Sequence, residues 1–145
     1  MKGLFRRLRD IGLDIDARVP ETRIPKVVKV ALTAATTFTG GDVLGWANPE
    51  KRKIIITGLF LDVTTQATGT PTVDAGVAAD ATTSSDDLID GCAIGAATGV
   101  FNSIADAGTN GEGAVVMSSS QYLTITPSAS AAGLVGNAYI QYVIA

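Results

Sequence analysis

An all-β fold, an antiparallel β-sandwich or jelly-roll-like body with a short N-terminal helical arm, is what this sequence predicts. Three observations carry that expectation. Seven or eight short runs rich in β-branched residues follow one another, each closed by Gly, Pro, Asn or Ser turn signals. The body offers only one minor helical segment, and no 20–50-residue repeat runs through it, which excludes a solenoid or propeller. At 145 residues with 46% hydrophobic content, the chain is long enough for one core. The organisation expected is an arm and linker over 1–25 and one β-domain over 26–145.

The arm comes first. In 3–16 (GLFRRLRDIGLDID), Leu4, Leu8, Ile11 and Ile15 fall on one helical stripe, while Arg7, Asp10 and Asp14 point elsewhere. A helix this short is marginal in water without a surface to lie on. Its own domain, another chain and a membrane surface are the three candidates, and the acidic residues on its polar face weaken the last. Pro20 and Pro25 then push their predecessors toward extended geometry, so 17–26 reads as an extended linker.

Strand patterns begin at Lys26. KVVKVAL (26–32) is β-branched, and DVLGWA (42–47) stops at the Asn48-Pro49 turn signal. KRKIIITGLFLDVTT (51–65) is the strongest strand pattern. Strict alternation puts Ile55, Thr57, Leu59, Leu61 and Val63 on one face and Ile54, Ile56 and Phe60 on the other, so both faces are expected to be covered. TVDAGVAA (72–79) follows. TTSSDDLIDG then offers Ser84 or Ser85 as an N-cap with Asp86 and Asp87 in the first turn, a helical turn ended by Gly91. Short strands near Val100-Phe101, at AVVM (114–117), at QYLTIT (121–126) and at NAYIQYVIA (137–145) complete the set.

Composition removes much chemistry. With no histidine and one cysteine, Cys92, there is no Ser-His-Asp triad, His-bearing zinc site, intrachain disulfide or CxxC pair. Cys92 sits among Ala, Gly and Ile and reads as a buried small hydrophobe. Most carboxylates lie beside Ser, Thr and Gly, where caps and turns use them. Asp86, Asp87 and Asp90 form the one cluster with hard oxygen ligands for calcium, although the spacing is not that of an EF-hand loop. The glycines at 91, 95 and 99 and at 108, 111 and 113 lack the Lys-Ser/Thr of a phosphate loop. No catalytic residue and no cofactor is expected, and the chain is read as not an enzyme.

Charge is partitioned along the sequence. Residues 1–53 hold all 11 Lys and Arg against six acids, a net of +5, whereas 54–145 hold eight acids and no cation. The basic part lacks the interleaved aromatics of a single-strand binder, and an acidic body repels a phosphate backbone, so nucleic acid is not the expected partner. Docking on an acidic protein surface is. No run approaches the length of a membrane span, and charges interrupt any signal-peptide core.

The stretch KRKIIITGLFLDVTTQATGTPTVDAGVAAD, the following DDLIDG and the C-terminal GNAYIQYVIA resemble, in texture, the head decoration (cement, or auxiliary capsid) proteins of tailed bacteriophages. That resemblance implies a structural virion protein on the capsid surface, made in the host cytoplasm and trimeric, with a major capsid or other virion protein as partner. The docking residues would be Leu4, Phe5, Arg6, Arg7, Leu8, Arg9, Ile11, Ile15, Arg18 and Arg23. Trp46, Ile54, Ile56, Phe60, Tyr139 and Tyr142 are the candidates for an oligomer interface. The alternatives are a phage tail or fibre protein and a carbohydrate-binding β-module for host recognition.

Overall fold

The computed structural model describes residues 24–33 and 44–145. The arm residues and nearly all of the linker lie outside these, so the expected helix over 3–16 falls outside the described residues. Every element within them is a strand: β1 (Lys26–Thr33), β2 (Leu44–Ala47), β3 (Ile54–Thr65), β4 (Val73–Ala78), β5 (Ile89–Cys92), β6 (Gly99–Asn102), β7 (Val115–Met117), β8 (Tyr122–Pro127) and β9 (Val135–Ile144).

Two antiparallel sheets result. A five-stranded sheet has the order β1-β9-β3-β6, with β7 also pairing with β3, and a four-stranded sheet has the order β2-β8-β4-β5. Trp46 of β2 lies 5.7 Å from Tyr142 of β9, ring centre to ring centre, and β4 lies against β7. Strands β1 and β2 therefore share one side of the sandwich, and β5, β6 and β7 share the other. Between the sheets sit Ile54, Ile56, Leu59 and Leu61 of β3, Ile140 of β9, Val73 of β4 and Leu123 and Ile125 of β8, all fully buried.

The face assignment of β3 departs from strict alternation. A bulge between Ile56 and Gly58 against β9 inserts one residue, and every side chain beyond it changes face. The inward set is Ile54, Ile56, Leu59, Leu61 and Val63, with Ile55, Phe60 and Asp62 turned outward. On the opposite edge of β3, between the stretches paired with β7 and with β6, the Leu59 N–H donates to Ser103 Oγ (3.1 Å), while the Ser103 N–H donates to the Leu59 carbonyl (3.0 Å). A hydroxyl almost wholly shielded from solvent thus satisfies an N–H that neither ladder reaches.

The helical turn expected over 84–91 is absent, and Ile89–Cys92 is strand β5 instead. Side-chain acceptors there hold an irregular loop. Asp80 Oδ1 accepts from the N–H groups of Thr82 (2.9 Å) and Thr83 (2.8 Å), and Asp87 Oδ1 accepts from the Val77 N–H (2.8 Å) and the Ser85 hydroxyl (3.0 Å). Such local bonds compete with helix formation. This loop lies on the outer face of the four-stranded sheet, over a row made by Gly45, Thr124 and Gly76. A Cβ on Gly45 would meet the Ala81 backbone at 2.9 Å, and one on Gly76 would run into Ser85 and Asp87. The Thr124 hydroxyl donates to the Thr83 carbonyl (3.0 Å) and is fully buried beneath the loop.

Candidate functional site

Two surfaces bear on function, and the first is the outer face of the five-stranded sheet. Register places Val116, Ile55 and Val143 side by side across β7, β3 and β9. Lys29, Tyr139 and Phe60 form a second row across β1, β9 and β3. Val27 is 62% exposed and Val116 is 52% exposed, while Ile55, Phe60, Tyr139 and Val143 are half-buried. The Lys29 ammonium stands 5.8 Å from the Tyr139 ring centre.

Of the six expected interface residues, only Phe60 and Tyr139 lie on this face. Ile54, Ile56 and Tyr142 point into the core at 2% exposure or less, and Trp46 is half-buried against Tyr142. For Ile54 and Ile56 the cause is the bulge. For Tyr142 it is the period of β9, which sends Ala138, Ile140, Tyr142 and Ile144 inward together.

The second region is the root of the N-terminal segment, where β1 begins. Lys26 Nζ donates to Glu50 Oε1 (2.7 Å), and the Tyr142 hydroxyl donates to the same oxygen (2.9 Å). The bond from Lys26, then that from Tyr142, holds the Glu50 carboxyl below the usual carboxylate range. Burial, followed by the bond to Glu50, pushes the Tyr142 phenol up to about 12. Asn48 completes the knot. Its Nδ2 donates to the Arg52 and Ser118 carbonyls (3.0 Å each), and its Oδ1 accepts the Glu50 N–H (3.0 Å). The turn also contains Lys51 in the left-handed region, at φ 52°. Sequence reasoning missed Glu50 and Asn48; the only signal was that Asn48-Pro49-Glu50 sits between two strands.

The described charges separate in space. Lys26, Lys51, Arg52 and Lys53 gather where β1 and β3 begin. Asp86, Asp87 and Asp90 and the 103–113 loop, which carries Asp106 and Glu112, gather around β5 at the opposite side. Among the described residues no group of three or more His, Cys, Asp or Glu side chains is arranged to hold a metal ion, and this includes the calcium candidates Asp86, Asp87 and Asp90. The chain itself engages these carboxylates. Asp86 accepts from Asn110 Nδ2 (2.8 Å), Asp87 from Val77 and Ser85, and Asp90 from the Asn110 N–H (3.2 Å).

Cys92 faces the core, where burial and then the Asp106 charge push its thiol up to about 11. The arm residues Leu4, Phe5, Arg6, Arg7, Leu8, Arg9, Ile11, Ile15, Arg18 and Arg23 lie outside the described residues. Among those described, no helix is long and apolar enough to cross a membrane. Comparison with protein-family models, curated proteins and solved structures finds no match to this chain.

Proposed function

We propose that this chain is a structural virion protein that decorates and stabilises a phage capsid. It docks on the major capsid lattice through its basic N-terminal arm and works as a homotrimer at the capsid surface, without catalysis or cofactor. The observation that carries this reading is the separation of charge in the folded body. Four of the five described cations, Lys26, Lys51, Arg52 and Lys53, cluster with Glu50 where the N-terminal segment joins the sandwich, and most of the other acids gather around β5. A protein so divided orients itself against an acidic surface, since complementary charge fixes register as well as encounter. The interleaved order β1-β9-β3-β6 over β2-β8-β4-β5 supports the reading further, being the wrapping of a jelly roll, an architecture used in viral shells. The knot of Lys26, Glu50 and Tyr142 gives the arm a fixed point of departure.

The test is deletion of residues 1–24, followed by co-sedimentation with capsids that lack the native protein. The expected outcome is a folded body that no longer binds; binding equal to that of the full chain overturns the arm's role. Imaging of the native particle would place the protein directly.

A further inference from the structure

We infer that the outer face of the five-stranded sheet is the surface through which one copy of this chain contacts a second copy. The two outer faces of the sandwich are treated differently. On the four-stranded sheet, the loop around Asp80–Asp87 covers the face, and Gly45 and Gly76 let it approach. On the five-stranded sheet, no described element lies over Ile55, Phe60, Val116, Tyr139 and Val143. Two aromatic and three aliphatic side chains stand there in two rows, with Val27, Gln141 and Gly58 in the row between them and the Phe60 ring lying close to Gly58, and apolar surface of that kind marks an interaction site.

Size and charge both favour a second copy as the occupant. Four strands at about 4.8 Å spacing and ten residues at about 3.3 Å each give a face of about 600 Å², approaching the roughly 800 Å² that one partner contributes to a standard interface. Lys29 on β1 and Asp62 on β3 are charges of opposite sign on opposite sides of β9, in neighbouring rows. No described residue forms an ion pair or hydrogen bond with the Asp62 carboxylate. When two such faces meet, or when copies close into a ring around their β9 strands, the Lys29 side of one copy meets the Asp62 side of the next. The face is complementary to itself.

This inference deepens the self-association within the proposed function and needs no capsid to be tested. Sedimentation velocity of the purified full-length chain is compared for wild type, Lys29→Glu, Asp62→Lys and the double variant, with circular dichroism confirming that each is folded. The expected result is an oligomer that each single exchange weakens about tenfold or more, with the double exchange restoring most of the affinity. A monomeric wild type, single variants that associate like wild type, or a double variant no better than the singles overturns the inference. A chain that self-associates in this manner but binds no capsid supports the interface and removes the decoration reading.

Discussion

Tyr142→Phe removes one hydroxyl from the root of β1 and leaves the ring in place against Trp46. The lost bond runs from a phenol in a side chain that is 2% exposed to a carboxylate oxygen 2.9 Å away. Bonds to charged groups contribute about 1.5–3 kcal/mol. Glu50 keeps Lys26 as a donor and is itself 17% exposed, so water replaces part of the loss and the cost falls near the lower end, about 1.5 kcal/mol. For a domain of this length that is a drop in Tm of roughly 3–6 °C.

The pH dependence is the sharper signature. A folded-state value of about 12, above the unfolded value, means that the phenol's contribution is fully present below about pH 10 and is lost as pH rises through 12. Two units correspond to about 3 kcal/mol of wild-type stability that the variant does not have to lose. The gap between the two proteins, measured by urea unfolding, should therefore close from about pH 10 upward and then reverse, since the loss of about 3 kcal/mol exceeds the difference of about 1.5 kcal/mol at neutral pH. A variant within about 0.5 kcal/mol of wild type at neutral pH, or a gap that stays constant into alkali, would refute the reasoning.

Glu50→Gln tests the same knot from the acid side. The carboxyl is held below its ordinary value, so its contribution is present above about pH 4.5 and is lost as pH falls through the lowered folded value. The variant should start less stable and lose less on acidification in a urea series. Ser103→Ala strips the Leu59 N–H of its acceptor between β6 and β7 and should lower stability by about 1–3 kcal/mol, read from the urea midpoint. Cys92 should react with a thiol reagent at mildly alkaline pH only as fast as the core opens, because its thiol is buried and raised to about 11; labelling at the rate of a free thiol would contradict that placement.

The strand content was legible because β-branched runs separated by Gly, Pro and Asn are a local signal, and β1, β3, β4, β8 and β9 begin or end within two or three residues of their patterns. The face assignment was not. Nothing in IIITGLF states that one residue is extruded, since a bulge is fixed by the partner strand, and here that strand is β9, far along the chain. The segment with Ser84, Asp86 and Asp87 has the composition of a helix start. Instead the Asp87 carboxylate accepts the Val77 N–H of β4 and the Ser85 hydroxyl, a tertiary preference that no local propensity contains. Strict alternation grouped Phe60 with Ile54 and Ile56, whereas the bulge turns Phe60 outward and leaves the two isoleucines in the core. Glu50 stayed hidden because its partners lie 24 and 92 positions away.

The position of the Lys26–Glu50–Tyr142 knot has a mechanical consequence. A load applied through the N-terminal segment enters the sandwich at Lys26, which is paired with Tyr142 in the last rungs of β9. Where the opposing load is held at the same end of β9, tension peels β1 away one rung at a time instead of shearing the whole ladder at once. The first rung bears the force before any other. It is also the rung that a charged side-chain bond fastens to the 48–53 turn, so the ladder is latched at the point where it would begin to unzip.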